Sequence, residues 1–309
     1  MASVAHSSSK YDALSLEGCA NAYLESIRAQ NRYSKSTLLA YQTDLYNFTE
    51  YLYKTLGQDP AISDFNVEQV ASFLESERLA GYKRSTLKRR MAVLRGLEAY
   101  LRKNLGFNIN FFATQSKNLV EPIERIQLTK SQQVLAPTEI ERLAQAMEAS
   151  RRPRARRDHA IFALLLETGL SVGKLVELDI TDLQAREGLL SLRFTPEHKQ
   201  WLPLKSATPM LRRYLTEGRP ELNPLPNENA LFVSQSGIRM SRQGVWQVLR
   251  YWGRAINLSV SLSPRLVRNT ATETLVKTKR PLSEIKNLLG HKNHLSTLAM
   301  VKRLDLDYP

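Results

Sequence analysis

Arg268 and His291 are the side chains in this sequence best suited to chemistry on phosphate. By local pattern each sits near a helix end, Arg268 after Ser263 and Pro264 and His291 after Leu289 and Gly290, about twenty residues apart. A guanidinium presents a planar fork of donors to the nonbridging oxygens of a phosphodiester, and an imidazole nearby can share a proton. Arg265 adds a second fork, but a guanidinium stays protonated and cannot exchange a proton. His291 also has a plainer reading, a helix C-terminal histidine bonded to a carbonyl. Lys199, with His198 beside it, is either a phosphate contact or a solvated hairpin residue.

The overall charge favours a polyanionic partner. Net charge is +14 and the pI near 9.9, the electrostatic footprint of a nucleic-acid binder. Basic residues gather at 28–32, 83–95, 151–157 and 277–286 rather than spreading evenly. Cys19 is the sole cysteine, which excludes a disulfide framework and a cysteine zinc site. No apolar run approaches the ~18 residues of a membrane span, and the Ser-rich start lacks the apolar stretch of a signal peptide, so a cytoplasmic or nucleoid location is expected. Walker, dinucleotide and Ser/His/Asp patterns are absent, and no cofactor or metal is expected. Aromatic residues fall at helical core spacing and read as packing.

The elements that must position these groups are mostly helices. Ala20, Tyr23, Leu24 and Ile27 repeat at helical spacing, as do Leu38, Tyr41, Leu45, Phe48 and Leu52. Ser34 or Ser36-Thr37 offers a cap for the second run, Asn66 caps a third, and Ser85 opens a fourth with Leu87, Met91, Leu94, Leu97 and Leu101 inward. The opposite face of that fourth helix carries Arg84, Lys88, Arg89 and Arg95. The pattern fades after Asn104, giving an expected division into a tail at 1–14, an all-α domain at 15–110, a linker at 111–134 and a second domain at 135–309. In the second domain an Arg-rich loop at 151–157 precedes an apolar helix. Residues 188–204 alternate like a small β-hairpin or sheet, and helices resume after Val233.

Several segments then fall in a telling order. Residues Tyr33 to Leu38 with Tyr41, Asp44, Leu45 and Phe48 come first, followed by Ser85-Thr86 and Met91 to Arg95. Later come Leu135 to Ile140, Glu167-Thr-Gly-Leu170, Leu231 to Ser234, Met240 to Val245, and Leu289-Gly-His291. Together they resemble the tyrosine recombinase (phage integrase) family over nearly the whole chain. The resemblance implies a mainly α protein: an N-terminal SAM-like core-binding bundle, and a C-terminal mixed α/β catalytic-type domain with a small sheet.

It also implies a chemistry. In that family a Tyr attacks a DNA phosphate, forms a 3′-phosphotyrosyl bond and releases a 5′-hydroxyl without metal or nucleotide. Two Arg hold the nonbridging oxygens, a hairpin Lys protonates the leaving oxygen, and His groups assist. Carried onto this chain, the first Arg falls on Ser171, whose plain reading is a helix cap. Lys174, one turn on, is a conceivable surrogate, though an ammonium lacks the guanidinium fork. Lys199 falls near the general-acid position. The His-x-x-Arg motif reads Arg265-x-x-Arg268, His291 is retained, and the Tyr position falls on Met300, or on Val301 if the loop holds an extra residue. Losing one transition-state clamp typically costs on the order of 10²–10³ in rate.

The expectation is therefore a C-shaped, two-domain clamp on double-stranded DNA, with catalytic remnants at Lys199, Arg268 and His291 and losses at Ser171, Arg265 and Met300. Its DNA contacts are expected from Arg84, Lys88, Arg89 and Arg95 in one domain. In the other they come from Arg154, Arg156, Lys199, Arg242, Arg265, Arg268 and His291. Such a protein would select a target or serve as an accessory subunit in integration, recombination or transposition, with other recombination proteins or further copies of itself as partners and no membrane. Two alternatives stay open: an active recombinase using Tyr308 or a partner's Tyr, and a scaffold whose basic surface meets an acidic protein.

Overall fold

Helix starts in the first part of the chain follow capping chemistry. Ser15 caps α1 (Leu16–Ala29) by accepting from the Gly18 amide, and Ser34 caps α2 (Lys35–Leu56) by accepting from Thr37. Asn66 does the same for α3 (Val67–Leu79) through Gln69. By contrast α4 (Arg84–Leu105) opens after Lys83 with no side-chain cap, so Ser85 lies inside the helix instead of starting it. The computed structural model describes residues 15–114, 119, 123, 134–152, 154–186, 188–193, 201–291 and 293–308. The expected tail at 1–14, most of the 111–134 stretch, and Lys199 with His198 lie outside the described residues.

The chain divides into two units, Met1–Thr129 and Lys130–Pro309. In the first, the helical repeats converge: Tyr23, Leu24, Ile27, Leu45, Phe48, Leu52, Leu87, Leu94, Leu97 and Leu101 are all buried. Phe111 and Phe112, on the single turn α5 (Phe111–Thr114), join this core, as do Leu119 and Ile123. Four residues of the stretch read as linker are thus packed against the first unit. Asp44 is buried beneath α4 and pairs with Arg89 and Arg90, while Arg90 also meets Glu77 and lies over the Phe73 and Tyr82 rings.

The second unit begins with α6 (Pro137–Ala149), α7 (Ala155–Thr168) and the short α8 (Val172–Glu177). The last three residues of the expected Arg-rich loop, 155–157, belong to α7, which starts at Ala155. The reason is burial: Arg157 donates to Asp158 and to the Val233 carbonyl, and Trp252 donates to the other Asp158 oxygen at 2.9 Å. Both charges are satisfied inside, so two polar residues sit in a core-facing first turn.

An antiparallel sheet follows, ordered β1 (Leu183–Arg186), β2 (Leu189–Leu192), β3 (Leu202–Leu204), with Leu190 opposite Leu204. The expected hairpin is present, and β1 is an added strand that the short run Leu183–Arg186 does not announce. Helices α9 (Thr208–Arg213), α10 (Arg219–Glu221), α11 (Arg242–Ala255), α12 (Pro264–Lys277), α13 (Leu282–Leu289) and α14 (His294–Arg303) complete the unit. A small separate core at its end joins Leu275, Ile285, Leu288, Leu289, Met300 and Val301, with Leu304, Leu306 and Tyr308 packed on it. Among the described residues no helix is long and apolar enough to cross a membrane.

Candidate functional site

Two chain reversals bring the site together. α7 ends at Gly169, whose φ of 64° is left-handed and whose backbone comes so close to α13 that an added Cβ would meet Leu289 Cδ2 at 2.7 Å. α13 ends the same way at Gly290, which delivers His291. Arg268, on α12, reaches both reversals. Its Nη1 donates to the Gly169 carbonyl at 2.8 Å, and its Nη2 donates to the Leu289 carbonyl at 2.7 Å.

That same Nη2 lies 2.9 Å from His291 Nε2. A guanidinium has no acceptor, so Nε2 must be the unprotonated nitrogen and Nδ1 carries the hydrogen. The Nδ1–H then donates to Thr297 Oγ1 at 2.9 Å, on a fully buried threonine. Burial lowers the His291 pKa, and the Arg268 charge lowers it further. The imidazole is held neutral. Burial acts on Arg268 in the same direction, with Arg303 adding to it.

These groups open onto a cavity of about 720 Å³. Its polar wall is Arg242, Arg265, Arg268, Arg303, His291 and Asn269; Leu170, Val172, Trp246, Pro264, Ala299 and Met300 supply apolar surface. None of the lining residues is acidic. Arg303 donates from Nη2 to Asn269 Oδ1 at 3.1 Å, and the nearest carboxylate to Arg242 is Glu177 at 3.8 Å. Such a wall suits an anion of phosphate type, whose oxygens accept from several forks at once. Among the described residues no group of three or more His, Cys, Asp and Glu could hold a metal ion.

Comparison with known proteins places this architecture. The phage integrase family model matches residues 133–301, and the phage integrase N-terminal SAM-like domain matches residues 20–104. The chain belongs to the phage integrase, or tyrosine recombinase, family. It is similar to tyrosine recombinase XerD of Listeria innocua serovar 6a, 27% identical over 283 residues, covering 89% of this chain and 90% of the relative. Tyrosine recombinase XerC of Pelotomaculum thermopropionicum is 28% identical over 284 residues, with the same coverage. In fold it resembles the Tn1549 transposon integrase solved with transposon right-end DNA: TM-score 0.71, 16% identity, 93% of this chain and 94% of that one.

Ser171 and Met300, two of the positions expected to diverge from the family pattern, each have a local role. Ser171 caps α8, its hydroxyl accepting from the Lys174 amide at 3.3 Å. The Lys174 ammonium turns to Glu177 at 3.1 Å and is not part of the cavity wall. Met300 is buried, lines the cavity, and has its sulfur 3.7 Å from Thr272 Oγ1. Tyr308, the nucleophile of the alternative reading, is fixed elsewhere: its hydroxyl donates to the Arg280 carbonyl at 3.1 Å and its ring packs on the terminal core. It does not line the cavity.

The remaining expected contacts separate by what already holds them. Lys88 and Arg95 are exposed and Arg84 half-buried on α4, whereas Arg89 is taken by Asp44 and the Ala40 carbonyl. Arg156 is paired with Glu217 at 2.9 Å and Glu221 at 3.0 Å. Arg154 lines a second cleft with Ser241, Gln247 and Tyr251. Arg242, Arg265, Arg268 and His291 share the main cavity; Arg303 and Asn269 were missed. Arg303 lies three residues after Met300 on α14, so helical spacing from that expected site position was the signal that could have found it.

Proposed function

We propose that this chain binds duplex DNA and seats a backbone phosphate in its arginine-lined cavity without cutting it. Support for DNA as the ligand comes from relatives named as recombinases, from the Tn1549 integrase complex with DNA, and from the net charge of +14. Phosphate contacts would supply affinity, and helix side chains reaching base edges would supply sequence preference. Exposed Lys88 and Arg95 with Arg84 are the contacts proposed for the first unit; Arg154 and the cavity arginines serve in the second. Arg89 and Arg156 drop out because carboxylates already neutralise them.

One observation carries the inactive reading. Where a nucleophilic hydroxyl is expected, the wall presents the Met300 thioether, and the alternative position, Val301, is a buried hydrocarbon; neither has a proton to lose or can attack phosphorus. Ser171 and Arg265 remove a fork and a proton-sharing group from the same cavity. A chain of this kind would mark or occupy a site for a recombination, integration or transposition machinery, as a target-selecting or accessory subunit. The competing reading, with Tyr308 as nucleophile and Lys174 as clamp, has both groups engaged elsewhere.

The deciding experiment uses duplexes recovered by binding selection, each nicked so that cleavage traps the product. The expected result is a stable complex with no protein–DNA adduct surviving denaturation. A covalent adduct, lost on Tyr308→Phe, would establish the active reading instead.

A further inference from the structure

Three guanidiniums crowd the cavity with no counter-charge. Arg265, Arg268 and Arg303 all line it, and among the described residues none of the three has a carboxylate partner. Burial first lowers the pKa of both Arg303 and Arg268, and the crowding adds to it, Arg265 acting on Arg303 and Arg303 on Arg268. Like charges so arranged raise the energy of the empty cavity and lower it when an anion enters.

Arg303 is also aimed. Asn269, 3% exposed, accepts from its Nη2 at 3.1 Å, leaving the rest of the fork free toward the cavity. The residue lies one turn beyond Met300 on α14 and faces the same space as Ser171, where the family's first arginine is missing. A planar fork restrained at one nitrogen and free at the others is a ready-made oxygen clamp.

We propose that Arg303, oriented by Asn269, is a phosphate clamp of this cavity and with Arg265 replaces the charge that Ser171 no longer supplies. Arg268 alone among the three is an arginine where the family pattern has one; its fork is largely occupied by the Gly169 and Leu289 carbonyls and His291, so the other two carry most of the free donors. The inference rests on the phosphate-holding reading above and adds residues to it. The chemistry recognised is a tetrahedral phosphate group, with the DNA backbone as its source.

The test measures duplex affinity against salt for the full chain and for Arg303→Ala, Arg303→Lys and Lys88→Ala, each checked for native circular dichroism. Losing one phosphate contact should lower the slope of log K against log salt by about 0.9. Arg303→Ala should show that loss and weaker binding, and Arg303→Lys should recover the slope because it keeps the charge. An unchanged slope in Arg303→Ala, with Lys88→Ala weakened, overturns the clamp and leaves the DNA reading intact. Inorganic phosphate provides the second arm. If no duplex binds, yet phosphate raises the melting temperature of the parent and not of Arg303→Ala, the clamp stands and the DNA reading falls. Neither ligand binding overturns both.

Discussion

Arg268 Nη2 stands 2.9 Å from His291 Nε2, so the two side chains best suited to phosphate chemistry here hold each other. The arrangement fixes the imidazole as the Nδ1–H tautomer, with Thr297 as the acceptor on the far side. In that state His291 offers a phosphate oxygen no proton from Nε2. It serves as a brace for Arg268.

This tautomer has a pH signature. His291 has a folded-state pKa below its ordinary ~6.5, through burial first and Arg268 second. As pH falls through ~6.5 the unfolded chain takes up the proton and the folded chain resists, so stability is complete above that value and declines below it. His291→Gln removes this one term, while His159, also lowered by burial, contributes equally to both proteins. Urea midpoints compared at pH 8 and pH 5 should show the larger decline in the parent chain. Equal declines would mean that neither burial nor Arg268 depresses the imidazole.

Much of this was legible in the residues. Tyr23, Leu45, Phe48, Leu94 and Leu97 fall inward as their spacing requires, and Ser34 and Asn66 cap as their chemistry suggests. Single-residue events were not legible. Nothing in the local pattern around Arg157 and Asp158 says that a buried Trp252, 94 positions away, makes their burial affordable, so a helix turn reads as a loop. Arg89 and Arg156 read as free cations because their carboxylate partners are 45 and at least 60 positions distant. Charge shows in a sequence, but its neutralisation is a tertiary fact.

That contrast predicts two different stabilities. Asp158→Ala strands a buried Arg157 and the Trp252 indole N–H, and breaking a buried pair in this way costs about 3–5 kcal/mol. Arg156→Ala loses partly exposed pairs with Glu217 and Glu221, worth about 0.2–1 kcal/mol. Urea denaturation of the full chain followed by tryptophan fluorescence separates them. Comparable losses would refute the internal role of Asp158.

Gly169 links stability to site geometry. It combines a left-handed backbone with a 2.7 Å approach of any added Cβ to Leu289, and both residues lend carbonyls to Arg268. Gly169→Ala should therefore destabilise by at least about 1–2 kcal/mol from backbone conformation alone. It should also weaken duplex binding at temperatures where the chain remains folded, because the displaced Leu289 carbonyl no longer holds Arg268. Full-strength binding by a folded Gly169→Ala chain would show that Arg268 needs no such support.

The inactive reading makes its strongest prediction in reverse. On that reading three cavity positions would stand between this chain and the family's chemistry: Ser171 offers no fork, Arg265 no proton to share, and Met300 no hydroxyl. Met300→Tyr alone supplies a nucleophile but leaves the developing charge short of a clamp, a deficit on the order of 10²–10³ in rate. It should give little or no adduct. Ser171→Arg, Arg265→His and Met300→Tyr together restore fork, proton carrier and nucleophile around an Arg268 already in place. On a nicked duplex selected for binding, that triple variant should accumulate a covalent adduct which Tyr308→Phe leaves untouched. A triple variant that folds and binds the duplex yet never forms the adduct would mean that this cavity does not seat the phosphate in line with position 300.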